Sequence, residues 1–153
     1  MASIQNVERL YAKLRALADK ARKKPRAVVV GYSQAYAIYV HENLEAHHEV
    51  GQAKFLEEPL RNLAPVLRQE INDGMRQGMD LEDCLLKAGF HLQRESQQLV
   101  PVDTGALRAS AFTGFAEDLD ALASEAQSRG EAKRQTAHDK VQKQRLEKQL
   151  RKV

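Results

Sequence analysis

Apolar residues in this chain recur mostly at intervals of three and four. Ile4, Val7, Leu10, Tyr11, Leu14, Leu17, Ala18 and Ala21 predict an amphipathic helix, with Ser3 as N-cap, Arg22-Lys23-Lys24 in the last turn and Pro25 as the stop. Leu56, Leu60, Leu63, Leu67 and Ile71 predict a second helix over 55–77. Pro59 fits its first turn, Pro65 should kink or divide it, and Gly74 and Gly78 mark its end. Leu81, Leu85, Ala88, Leu92 and Leu99 predict a third helix over 81–98, capped by Asp80 and ended by Pro101.

The period changes between the first two helices. Ala27-Val-Val-Val-Gly31 is short and β-branched and predicts a strand. Tyr36, Ile38 and Val40 alternate with Ala37, Tyr39 and His41, which predicts a second strand across a short turn, hence a hairpin. A lone hairpin is marginal in water, so it must pack on helices or extend across a subunit boundary. Asn43 to Ala53 is polar and reads as an exposed loop.

Beyond Gly105 the pattern weakens. Ala106 to Phe115 suits a helical turn, a strand or both, and Asp118 to Ser128 suits a helix. Gly130 reads as a hinge. Residues 131–153 favour helix but offer only Val141, Leu146, Leu150 and Val153 as apolar contacts, too few for a heptad seam. Such a tail frays alone and needs a neighbouring chain to lean on. The expected fold is α+β, with several amphipathic helices packed on a small antiparallel sheet or hairpin and a charged helical C-terminal extension. The expected division is a core over 1–128, including the N-terminal helix, and a basic helical tail over 129–153.

Composition adds two constraints. Hydrophobic residues are 42% but aromatics only 5% and Trp is absent, so the core is chiefly Leu, Val and Ala. Charge is uneven: residues 129–153 hold nine Lys/Arg against three Asp/Glu, a balance of +6, and the other 128 residues hold 15 against 18, or −3. A basic tail on an acidic body points to an acidic partner or nucleic acid, weighed equally against a merely solvated helix. Cys84 stands alone, which excludes an intrachain disulfide and fits a reducing cytoplasm. No apolar run reaches 18 residues and the start lacks a secretory pattern, so no membrane span or leader is expected.

The candidate chemistries are weak. His41, Glu42, His47 and His48 invite a metal site, but the zinc-protease helix needs two His four apart, and here the spacing is six. Cys84 lies near a helix start, where a thiol can be activated, yet no sequence pattern ties a histidine to it. Asp103-Thr-Gly105 has the tripeptide of aspartic proteases without their β-rich flanks. The better reading is a turn: Asp103 or Thr104 accepts turn hydrogen bonds, Gly105 takes positive φ and Leu107 docks on the core. No phosphate cradle, Cys-x-x-Cys pair or nucleophile elbow is present, so no enzyme, metal or cofactor is expected. The tail supplies charge for phosphate contact but no interleaved aromatics for base stacking.

Val30-Gly-Tyr32, Tyr36-Ala-Ile-Tyr-Val-His-Glu42, Ala53-Lys-Phe-Leu-Glu-Glu-Pro59 and Leu99-Val-Pro-Val-Asp-Thr-Gly-Ala-Leu-Arg-Ala-Ser110 are spread over residues 27–112. In these segments the chain resembles the tailed-bacteriophage morphogenesis proteins of the head–tail junction, of neck, tail-completion or tail-terminator type. In their commoner arrangement the Asp-Thr-Gly segment precedes the Tyr-Ala strand; here it follows, so the order looks permuted. The resemblance implies a virion structural protein, made in the host bacterial cytoplasm, that forms a homo-oligomeric ring around the DNA channel. Its partners would be portal-side connector, tail or capsid subunits, with non-specific contact to packaged DNA through 129–153. The implied mechanism is recognition by strand addition and helix docking. The interface residues expected are Tyr36, Tyr39, His41, Glu42, His47, His48, Phe55, Asp103, Thr104 and Arg108. The alternatives are a minor capsid or cement protein on the shell, or a DNA-associated accessory protein.

Overall fold

The computed structural model describes residues 8–9, 11–16, 19 and 24–151. Its elements run β1 (Val28–Tyr32), α1 (Ala37–Glu42), α2 (Glu57–Arg76), α3 (Leu81–Leu99), α4 (Ala106–Ala109), β2 (Ala111–Phe115), a 3-10 turn (Ala116–Asp118) and α5 (Leu119–Leu150). The fold is α+β, with a small antiparallel sheet and a helical C-terminal extension.

The sheet corrects the expected hairpin. β1 pairs antiparallel with β2, with Val28 opposite Phe115 and Tyr32 opposite Ala111. The segment 36–41 is not a strand: α1 occupies it. The reason lies in which side chains are buried together. Tyr36, Ala37 and Val40 all pack on the cluster of Phe55, Val100 and Leu107. Positions i, i+1 and i+4 share one side of a helix, whereas in a strand Ala37 and Val40 would point to opposite faces. Ile38 and Tyr39 are left exposed.

Both faces of the sheet are covered. Tyr32 Oη and Ser96 Oγ of α3 lie 2.7 Å apart, and Thr113 Oγ1 donates to Gln93 Oε1 of α3 at 2.6 Å. A Cβ at Gly89 would fall 2.8 Å from Thr113 Cγ2 and 3.0 Å from Val28 Cγ1, so its absence lets α3 lie close to this face. The other face meets α5: a Cβ at Gly114 would stand 2.3 Å from Leu122 Cδ1. Behind α3 lies α2, joined to it through Leu63, Leu67, Ile71, Ala88 and Leu92. The layers are therefore α2, α3, sheet and α5. Leu60 leaves the expected stripe and is exposed.

Helix ends follow local rules. Pro59 is buried in the first turn of α2, as expected. Pro65 does not divide α2, which runs unbroken to Arg76. Pro65 and Arg61 are both exposed, so the carbonyl that loses its partner can face water. Asp80 occupies the N-cap position of α3 in extended conformation. Gly105 has φ +78°, and Ala106 N–H donates to Thr104 Oγ1 at 3.2 Å, the turn that the Asp-Thr-Gly sequence predicts.

Gly130 is not a hinge. α5 passes through it without a break, and Gly130 is buried. A Cβ there would lie 2.4 Å from Gln34 Nε2 and 2.8 Å from the Ala106 carbonyl oxygen. Arg129 also belongs to the body, donating through Nη2 to the Ala111 carbonyl at 2.8 Å. Past Arg134, every described residue except the half-buried Ala137 is exposed, yet the helix continues to Leu150. Before β1, residues 8–9, 11–16 and 19 are helical and exposed, including Tyr11 and Leu14 of the expected stripe. Ser3, Ile4, Val7, Leu10, Leu17, Ala18, Ala21, Arg22, Lys23 and Val153 lie outside the described residues.

Candidate assembly surface

The segments that carry the family resemblance meet around one aromatic ring. Phe55 is 1% exposed. It meets Tyr32 edge to face at 5.1 Å between centroids and His41 likewise at 4.9 Å. Val100 and Leu107 complete the buried cluster. Phe55 is thus a core residue, which corrects its expected place on the interface. It is buried because the turn 53–56 carries it inward between α1 and the connector after α3.

Polar contacts hold that turn. Lys54 adopts φ +55°. Its N–H donates to the His41 carbonyl at 2.8 Å, and its ammonium reaches Glu57 at 3.1 Å and also pairs with Glu42. His41 Nε2 accepts from the Glu57 N–H at 3.3 Å, which places the imidazole proton on Nδ1, where it donates to Glu42 at 2.6 Å. The Lys54 ammonium, chiefly by hydrogen bonding, holds the Glu42 and Glu57 carboxyls below the usual range, and Glu42 chiefly holds the Lys54 ammonium above its own. The end of α1 is thereby tied to the start of α2. Tyr32, beneath, is pushed up to about 12 by burial, against the smaller opposing effect of its Ser96 hydrogen bond.

The loop 43–53 is laced on both sides. Asn43 Oδ1 accepts from the N–H groups of Glu45 and Ala46 at 3.1 and 3.2 Å. Gln52 N–H donates to the Leu99 carbonyl at 2.8 Å. Between this loop, α1 and the 101–107 connector lies an open cleft of about 480 Å³. Tyr36, His47, His48, Asp103 and Thr104 line it, so five of the predicted site residues meet there. His48 Nε2 is buried and has no hydrogen-bond partner among the described residues. Arg134 reaches the cleft from α5, with its guanidinium carbon 5.7 Å from the centroid of the Tyr36 ring.

The other predicted residues fall elsewhere. His41 and Glu42 belong to the Lys54 network. Tyr39 is 70% exposed on the outer side of α1. Arg108 is half-buried, with Nε lacking a partner among the described residues and its carbonyl accepting from Gln97 at 2.8 Å. Sequence reasoning missed Lys54 and Arg134. A basic residue beside a buried aromatic gave no signal of positive φ, and Arg134 was masked by the many tail cations.

The two strands leave open edges. Ser33 N–H donates to the Ser110 carbonyl and Ala116 N–H to the Ala27 carbonyl, so the ladder's bonds fall on 27, 29, 31 and 33 of β1. The backbone groups of Val28, Val30 and Tyr32 then point away from β2, and among the described residues no third strand pairs with them.

Cys84 is buried, and a Cβ at Gly74 would stand 2.7 Å from its sulfur, so the thiol fills a gap between α2 and α3. Among the described residues no group of three or more His, Cys, Asp or Glu is placed to hold a metal ion. Among them, too, no helix is long and apolar enough to cross a membrane. No protein-family model matches the chain, and no curated protein or solved structure matches it significantly.

Proposed function

We propose that this chain is a virion structural protein of a tailed bacteriophage, acting at the head–tail junction by assembling with copies of itself and with neighbouring connector, tail or capsid subunits. One observation carries the reading. The separate segments that resemble the junction family, 30–32, 36–42, 53–59 and 99–110, are brought by the fold to one aliphatic–aromatic cluster around Phe55, with the cleft beside it. Segments scattered over 80 residues of sequence are parts of one structural unit, as a family core would require.

The proposed mechanism is recognition rather than catalysis. α1 presents Ile38 and Tyr39 to solvent, 74% and 70% exposed, beside Leu44 at 73%. Aromatic and aliphatic side chains of this kind are the usual anchors of protein interfaces. Strand addition would use the free edge of β1, not the segment 36–42. The exposed helix before β1, with Tyr11 and Leu14, is a second apolar surface for a neighbour.

Light scattering and negative-stain microscopy of the purified protein test the reading. A ring of about six or more copies with a central pore is the expected result for a closed cyclic assembly. Ile38→Asp with Tyr39→Asp should dissociate it. A chain that stays monomeric at high concentration counts against the self-assembling ring.

A further inference from the structure

We infer that the distal half of α5 is a duplex-DNA-binding arm that holds the phosphate backbone on one face. Arg134 lies over Tyr36 of the body, and beyond it every described residue but the half-buried Ala137 is exposed to solvent. Residues 133–151 extend over roughly 27 Å at 1.5 Å per residue.

The cations on this arm are not evenly distributed around it. With about 100° per residue and Lys133 as origin, Arg151 falls near 0°, Lys140 near −20°, Lys148 near 60°, Arg134 near 100° and Arg145 near 120°. Six cations thus share an arc of roughly 140°, while the acids Glu131, Asp139 and Glu147 all lie outside it. Lys133, Lys140, Arg145, Lys148 and Arg151 make no ion pair among the described residues, unlike Arg129, which pairs with Glu125 at 3.0 Å. Unpaired cations in a row can release counterions from a polyanion at no cost in broken salt bridges.

The arc also continues the side by which α5 docks on the body, since the buried Ala126 and Gly130 fall at about 20° and 60°. The rigid seating of Gly130 therefore fixes the direction in which the basic face points. A duplex fits this face better than an acidic protein does. A protein interface needs apolar or aromatic anchors, and the arc offers Val141 as its single large apolar side chain, with Leu146 and Leu150 on the other side. With no aromatics on the arm to stack on bases, binding is indifferent to sequence. The inference stands on the arm alone and does not depend on the junction reading, because DNA affinity is measured whether or not a ring forms.

The test is fluorescence anisotropy of the full chain with two 30-base-pair duplexes of unrelated sequence, titrated in salt, with polyglutamate as an alternative probe. About five phosphate contacts predict a log–log salt slope near −4.5, roughly a 500-fold loss between 50 and 200 mM. Both duplexes should bind equally. The variant Lys133→Gln, Lys140→Gln, Lys148→Gln, Arg151→Gln should bind at least about 100-fold more weakly at 50 mM salt, with the slope reduced by about 3.6. A charge-matched control, Arg68→Gln, Lys87→Gln, Arg94→Gln, Lys143→Gln, should stay within threefold of the parent. Glutamine keeps helix propensity, and far-UV circular dichroism verifies that both variants retain the arm. Equal loss in the two variants, no binding of either duplex at 50 mM salt, or binding of polyglutamate alone each overturns the inference.

Discussion

Replacing Phe55 by alanine removes the ring on which the unit around the cleft converges. Full truncation of a buried phenylalanine costs about 3–5 kcal/mol. Phe55 sits toward the upper end of that range, because at 1% exposure it also makes edge-to-face contacts with Tyr32 at 5.1 Å and His41 at 4.9 Å. Two parts of the surroundings resist collapse into the space: Lys54 is held at positive φ by its ion pairs, and Val100 stands before Pro101. A loss of about 4–5 kcal/mol is a large share of the 5–15 kcal/mol available to a domain. In urea, with m near 2 kcal/mol/M, the midpoint should fall by about 2–2.5 M. Phe90, 51% exposed on α3, is the internal control, and Phe90→Ala should cost less than about 1 kcal/mol. Equilibrium unfolding followed by circular dichroism measures both variants. If Phe55→Ala cost no more than Phe90→Ala, Phe55 would not be the centre of this packing, and the unit built around it would fail as an explanation.

Three further perturbations have signs fixed by the structure. Gly130→Ala gains about 1 kcal/mol of helix propensity, yet its Cβ would meet the Ala106 carbonyl at 2.8 Å, so a net drop in melting temperature is expected. Gly105→Ala meets nothing and carries only the strain of φ +78°, about 1–2 kcal/mol, and should leave α5 seated. Glu42 and Glu57 have folded pKa values below their unfolded ones, so their contribution is present above the ordinary carboxylate value of 4.5 and is lost as pH falls through the depressed values. The difference in melting temperature between the parent and Lys54→Gln should therefore be greatest near about pH 7, shrink as pH falls below the ordinary carboxylate value of 4.5, and shrink in about 1 M salt because these groups are exposed. A difference that did not change with pH or salt would show that Lys54 acts by packing instead.

How far the sequence revealed the fold depended on the range of the signal. The long helices were readable because Leu63, Leu67 and Ile71, and Ala88 and Leu92, repeat a helical face over several turns. The turn at Thr104 and Gly105 was readable because its chemistry is local. The partner of β1 was not, since Val28 pairs with Phe115 across more than 80 residues and no local pattern encodes that register. Tyr36 to His41 is too short for its period to be fixed: the same six residues alternate as a strand and also place Tyr36, Ala37 and Val40 on one helical side. A glycine in a polar helix has the sequence signature of a break, whereas at Gly130 the missing side chain permits close contact with Gln34 and Ala106. For the surface, the loop histidines and the Asp-Thr pair did come together in the cleft. Phe55 does not join them, because its ring closes the core between Tyr32 and His41.

The most direct measurement of the proposal is immunogold or tagged-density location of the chain in tailed particles released by cells that carry its gene. The proposal predicts density at the single vertex where head meets tail, in a ring around the DNA channel. Density spread over the capsid lattice, or absence from the finished particle, would contradict it.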